Sequence, residues 1–227
     1  KQYTDMPFVL MLDEDENGYK AGRFLRASDL GIKSENGEWK PVIHDAISHK
    51  LVVPNGTMGQ RWEEGKQWNL KLETEDGSKI DPALSVAEEE YELQTIQFPY
   101  FDSQGDGIFE RPIPTKKVKL ADGKEVRIAT VYDLMASQYG IKRFGHELEA
   151  KSYEDSESKY TPAWQENVTG IKQELVTQVA REFAQNAIDT KGRSMIIMGA
   201  GINHWFNSDT IYRAVLNLVL LCGCQGV

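Results

Sequence analysis

Cysteine is almost missing from these 227 residues: there are two, Cys222 and Cys224. One intervening residue makes a disulfide between them strained, and two thiols alone cannot close a zinc site. They read as small apolar fillers at a helix end, and such sparse use suits a reducing compartment. Cations are also short, with 26 Lys and Arg against 35 Asp and Glu, a net charge of −9. No basic stripe stands out, which argues against nucleic acid as a partner, because phosphate binding needs clustered cations. Long apolar runs are absent too. The longest, residues 214–222, is broken by Asn217 and too short to span a bilayer, so direct membrane insertion is not expected. No basic-then-apolar signal segment opens the chain.

Catalytic constellations are equally scarce. The four histidines, His44, His49, His146 and His204, form no HxxxH pair, and neither a GxSxG nor a P-loop lysine motif occurs. His44 and His49 lie five apart in a polar stretch, too little for a metal site, so neither catalytic nor metal-ligating residues are assigned. The chain opens on Lys1 and runs directly into an apolar strand pattern at residues 8–12. It stops abruptly after Cys222-Gly-Cys224-Gln-Gly-Val227, so both ends read as cut from something longer.

What is present divides by period. Residues 7–12 and 19–25 read as strands around an acidic turn, Asp13-Glu-Asp-Glu-Asn-Gly18. Further strands are expected at 39–43, 50–53 and 68–72, whereas 71–107 looks least ordered. Residues 116–120 and 125–129 form the clearest hairpin, with Asp122-Gly123 suited to a type I′ turn. From Thr130 the period becomes helical. Thr130 caps a helix with Asp133 in its first turn and Gly140 at its end. Thr161-Pro162 opens a second helix closed by Gly170. A third, over about 172–187, carries Leu175, Val176, Val179, Ala180, Phe183, Ala184 and Ala187 on one face. A strand at 194–198, a glycine loop and a helix at 208–222 complete the chain. The fold class is therefore α/β: an extended, hairpin-rich part over 1–129, then a Rossmann-like parallel-sheet segment over 130–227.

Three local patterns bear on chemistry. The acidic turn supplies Asp13, Asp15, Asn17 and Gly18 of a calcium loop, but the position of the bidentate glutamate falls on Phe24, which cannot ligate calcium. Residues 161–183 have helix–turn–helix spacing. Their second helix sets Lys172 and Arg181 against Glu174 and Glu182, unlike a cationic DNA-reading face. The most informative stretch is residues 192–205, GRSMIIMGAGINHW: a short apolar run breaking into Gly199-Ala-Gly201, then Asn203, His204 and Trp205. Ligands in open α/β sheets sit at the carboxyl ends of strands. Loop amides and the following helix start could hold a pyrophosphate while His204 or Trp205 meets a flat ring. The third glycine of a dinucleotide fingerprint is missing, and Asp209 argues for self-capping, so a ligand loop and a plain tight turn both stand.

Taken in order, the segments Gln2-Tyr-Thr-Asp-Met-Pro7, Val53-Pro-Asn-Gly56 with Arg61-Trp62, Phe98-Pro-Tyr-Phe101, Thr130-Val-Tyr-Asp-Leu134, Tyr160-Thr-Pro-Ala-Trp164, residues 192–205, Tyr212-Arg213 and Cys222-Gly-Cys224 cover essentially the whole chain. Together they resemble the catalytic α subunits of membrane-bound respiratory nitrate reductases, molybdoenzymes of the dimethyl-sulfoxide-reductase type. The resemblance implies an interior piece of a much larger enzyme that reduces nitrate at molybdenum held by two pyranopterin guanine dinucleotides. It also implies a 4Fe-4S cluster, whose ligands, like the aspartate on molybdenum, lie upstream of this segment. Gly199, Gly201, Asn203, His204 and Trp205 match the family motif, which implies that they contact the cofactor. The implied partners are an iron–sulfur β subunit and a membrane cytochrome b γ subunit, which place the enzyme at the cytoplasmic face of the cell membrane. The segment alone is expected to bind no cofactor and to be inactive. Selenate, chlorate or a hydrocarbon as substrate, and a non-catalytic nucleotide-binding or interaction module, remain the alternatives.

Overall fold

A computed structural model describes residues 1, 4–55, 72–102 and 105–224. It contains two compact units, Lys1–Ser152 with Ser158–Thr161, and Tyr153–Glu157 with Pro162–Val227. The first is built on a closed five-stranded barrel. Its strands are β1 (Val9–Asp15), β2 (Gly18–Phe24), β5 (Glu92–Asp102), β6 (Gly105–Lys119) and β7 (Glu125–Thr130), in the order β1-β2-β5-β6-β7. All pairings are antiparallel except β2 with β5, where Tyr19 faces Ile96. A separate hairpin, β3 (Ile43–Asp45) with β4 (Lys50–Val52), lies outside the barrel sheet.

The period-two pattern accounts for the barrel interior. Leu10 and Leu12 of β1, Ile96 and Phe98 of β5, and Phe109 and Ile113 of β6 form one buried cluster with Ala129. Val9, Leu25, Ala27, Val42, Val53 and Ile128 form a second. A bulge in β1 between Leu10 and Leu12 brings the strands so close that a Cβ on Gly22 would lie 2.7 Å from the Met11 carbonyl oxygen.

Several expectations shift here. The acidic run is strand rather than turn: Asp15 faces Gly18, leaving Glu16 and Asn17 as the turn, and Lys20 pairs with Asp15 at 2.8 Å. The region expected to be least ordered contains β5, with Ile96 and Phe98 turned into the barrel. The β6–β7 hairpin is present. Its turn is not type I′, because Gly123 (φ +88°) has a positive φ and Asp122 does not. Gly123 donates to the Leu120 carbonyl at 3.0 Å, so the left-handed residue comes at the end of the turn. The expected strand at 39–43 does not form as such: Trp39 lies in a turn, Pro41 makes an isolated bridge to Arg26, and β3 begins only at Ile43. The one at 68–72 lies almost wholly outside the described residues.

Helix α1 (Val131–Gln138) starts at the residue where the period changes. Thr130 Oγ1 accepts from the Asp133 amide at 3.0 Å, and Gly140 takes φ +69° beyond the helix end. Asp133, fully buried, also accepts from Ser85 Oγ, the Val86 amide, Thr130 Oγ1 and Arg143 at 2.6–2.9 Å. That carboxylate bolts α1 to the 3-10 turn at Val86–Glu88.

The second unit is helical: α2 (Pro162–Thr169), α3 (Gln173–Thr190), α4 (Ala200–Asn203) and α5 (Ser208–Leu221). The expected strand at 194–198 does not form. A parallel strand exists only by pairing, and no strand is present among the described residues of this unit. The segment nevertheless keeps a strand-like alternation: Met195 and Ile197 are 77% and 83% exposed, while Ser194, Ile196 and Met198 are partly covered. Across the chain the fold is thus mixed α/β.

Candidate functional site

The loop after the apolar run is short and polar because glycine interrupts it twice. Gly199 is extended (φ −128°), and α4 forms a single turn in which the Ile202 amide donates to the Gly199 carbonyl at 3.1 Å. His204 caps that turn, and the Trp205 amide donates to the Ile202 carbonyl at 3.2 Å. Asn207 precedes α5, whose first turn carries Asp209. Neither Gly199 nor Gly201 has a positive φ, and a Cβ on either would meet nothing within 4 Å. Within this chain, therefore, nothing demands glycine there; the open space would admit an approaching group to the backbone.

The side chains at this loop have distinct settings. The Tyr212 hydroxyl donates to the Asn203 side-chain oxygen Oδ1, so Asn203 is steadied from α5 and its side-chain NH2 group is the donor it can offer. His204 is exposed, Trp205 is 69% exposed and Phe206 fully so. Between Gly199 and Ser208 there is no Lys or Arg, and Asp209 is acidic. The donor set thus fits a flat, largely neutral part of a ligand better than a diphosphate, whose charge needs cations or several amides. The structure brings Gly199, Gly201, Asn203, His204 and Trp205 into one loop, as the sequence order dictates.

A second cluster was only half visible in the sequence. His44 on β3 and His49 in the following turn both reach Glu89, the residue closing the 3-10 turn at Val86–Glu88. His44 Nε2 lies 3.4 Å from Glu89 Oε2, His49 Nδ1 hydrogen-bonds Oε1, and Lys116 Nζ of β6 ion-pairs with Oε2. The Lys116 and His49 contacts hold the Glu89 carboxyl down to about 2, and burial lowers His44 below the usual imidazole value. The histidine pair was legible; Glu89 and Lys116 were not, because they join from 40 and 67 residues beyond His49. Among the described residues no group of three or more His, Cys, Asp or Glu is arranged to hold a metal ion.

Comparison with known proteins now adds identity. Residues 123–227 match the molybdopterin oxidoreductase family. The whole chain aligns with the nitrate reductase alpha chain of Bacillus subtilis at 54% identity, covering 100% of this chain and 18% of that protein. It is 40% identical to the respiratory nitrate reductase 1 alpha chain of Escherichia coli, covering 100% of this chain and 19% of that one. It is 41% identical to a nitrate reductase alpha subunit of Mycobacterium tuberculosis, again over 100% of this chain and 18% of the relative. The chain spans about a fifth of the length of these curated relatives. Over residues 123–227 the class is that of the molybdopterin oxidoreductases. Within it, the similarity throughout is to nitrate reductase alpha chains.

Proposed function

We propose that this chain is an interior piece of a nitrate-reducing molybdoenzyme and that its loop at residues 199–205 forms part of the wall against the pterin cofactor. The observation that carries the reading is 54% identity to a nitrate reductase alpha chain along the entire 227 residues. The bound cofactor, a molybdenum bis(molybdopterin guanine dinucleotide), would supply the two-electron chemistry that takes one oxygen atom from nitrate. The chain's own residues bind and orient. Gly199 and Gly201 let the backbone approach the group, and Trp205 offers a flat apolar surface. The Asn203 amide and the His204 ring supply hydrogen bonds, with Asn203 steadied by Tyr212.

The bare, strand-like run at 194–198 supports a second element of the proposal. In the longer protein it becomes one strand of a Rossmann-like parallel sheet, within a unit that begins near Thr130 and follows a hairpin-rich part over 1–129. Met195 and Ile197 then turn into a buried layer. The same reading carries the 4Fe-4S cluster, an iron–sulfur β subunit and a cytochrome b γ subunit at the cytoplasmic face of the membrane. No helix among the described residues is long and apolar enough to cross a membrane, which fits attachment through partners.

The decisive experiment uses the full-length enzyme. His204→Ala and Trp205→Ala are expected to lower molybdenum content and nitrate turnover with reduced viologen, while circular dichroism of the 227-residue chain stays unchanged. Wild-type molybdenum content and turnover in both variants would rule out the cofactor-contact role. Turnover of chlorate or selenate in place of nitrate would reassign the substrate. The isolated chain is expected to show no nitrate reduction; activity in a metal-free sample would overturn that.

A further inference from the structure

Glu89 is shared by three basic groups from three places in the fold. Lys116 belongs to β6 of the barrel, His44 to β3, and His49 to the turn between β3 and β4. His49 takes a left-handed conformation (φ +57°), and its amide donates to the Asp45 carbonyl at 2.8 Å, which directs its ring to Glu89. The carboxylate therefore links the hairpin's turn to a barrel strand. At the other end of the hairpin, Phe8 bridges Ile43, and the Val9 amide donates to the Val42 carbonyl at 3.0 Å. That end is fastened by backbone pairing. The turn end is held to residues 81–83 by backbone bonds (Ala46 amide to Asp81 carbonyl, Ala83 amide to His44 carbonyl, both 2.8 Å) and to β6 by charge alone.

The charges balance while both imidazoles are neutral, with one carboxylate against one ammonium. Protonating both rings leaves three cations around a single anion. Water screens the His44 and Lys116 charges little, because their side chains are only 8% and 18% exposed, and screens the 68% exposed His49 more. Among the described residues, the further carboxylate acting on His44 is Asp45, whose oxygens accept from the Ile47, Ser48 and Asp81 amides at 2.7–3.2 Å. Asp45 draws a proton to His44 only weakly. Burial, Lys116 and His49 oppose the proton, and Glu89 favours it.

We propose that Glu89, His44, His49 and Lys116 form an acid-opened clasp that fastens the β3–β4 hairpin to the barrel. When His44 takes a proton in acid, it competes with Lys116 for the same oxygen, and the hairpin parts from β6. The device is independent of the proposed nitrate chemistry and concerns the order of residues 43–52.

The test combines proton NMR of the imidazoles with amide hydrogen exchange on the 227-residue chain between pH 7.5 and pH 5. The expected result is a His44 midpoint below the usual imidazole value, because its ring is buried. Opening of the hairpin amides, corrected for the intrinsic chemical rate, should rise by up to about tenfold per pH unit, the limit for uptake of one proton. Barrel amides of β5 and β6 should not follow. His44→Gln keeps a neutral donor beside Glu89 and should flatten the dependence. Lys116→Met removes one opposing cation and should shrink the opening. Equal hairpin protection at both pH values overturns the proposal. So does an undiminished acid response in either variant, and if His44→Gln fails to fold, Lys116→Met and the wild-type titration decide alone.

Discussion

Single side chains set most of what can be measured in the barrel unit. The Asp133 carboxylate sits fully buried with four donors, among them the Arg143 guanidinium, which stacks on Tyr132 and Phe144. Removing one partner of a buried ion pair strands the other, so Asp133→Ala should destabilise the chain by about 3–5 kcal/mol. A urea melt checks this, and a loss under 1 kcal/mol would contradict the buried pairing. Gly22→Ala, which would press a Cβ onto the Met11 carbonyl, is expected to cost about 1–3 kcal/mol in the same melt. Acid stability follows from two groups. His44 is depressed in the folded chain, so the unfolded state binds the extra proton first and stability starts to fall below pH 6.5. Glu89 is held at about 2 against an ordinary 4.5, so its contribution is intact above pH 4.5 and lost as pH falls towards 2. Melts across pH 7 to 2 should therefore show two successive declines, the upper one missing in His44→Gln.

Among the elements, those governed by neighbours in sequence were legible and those governed by distant partners were not. Thr130, Asp133 and Gly140 announced α1 because capping is local. The β6–β7 hairpin was visible for the same reason. Strand β5 was missed because Pro99 and the polar Glu92, Gln94 and Gln97 hide its apolar side, which shows only once β6 supplies the other wall. The reverse holds at 194–198, where a good strand pattern finds no partner strand among the described residues. In the candidate site, the loop's glycines, Asn203, His204 and Trp205 were legible as a contiguous motif, whereas Tyr212's support of Asn203 depends on the helix that follows. One substitution separates the two contexts of the 194–198 run. Ile197→Lys, at an 83% exposed position, should change the stability of the 227-residue chain by less than about 0.5 kcal/mol. In the full-length enzyme the same change should cut the yield of folded, molybdenum-containing protein, since it would bury a charge in a sheet layer. An unaffected full-length enzyme would refute the Rossmann-like placement.

At the scale of the whole chain, the two units are unequal in how they are held together. The first closes its sheet on itself and has three buried apolar clusters. The second leaves Leu175, Val179, Ile188, Leu216 and Leu218 about half exposed or more. Apolar faces of this extent are expected to bind a hydrophobic dye such as ANS in the 227-residue chain. The signal should be weaker in the full-length protein, per mole, if the rest of the polypeptide covers them. An equal signal would show that those faces stay bare.

The segment Ser158–Thr161 belongs to the barrel unit although the residues on both sides of it belong to the other. Lys159 lies over the Tyr100 ring, and Tyr160, at φ +70°, packs on Phe109 and Tyr139. No single scission of the backbone can therefore yield both units intact. A barrel trimmed at Ser152 forfeits two of the rings' neighbours, whereas one trimmed at Thr161 keeps them and carries only a short borrowed loop. Protease nicking between Tyr153 and Glu157 would accordingly leave the barrel's own strip, Ser158–Thr161, on the C-terminal piece.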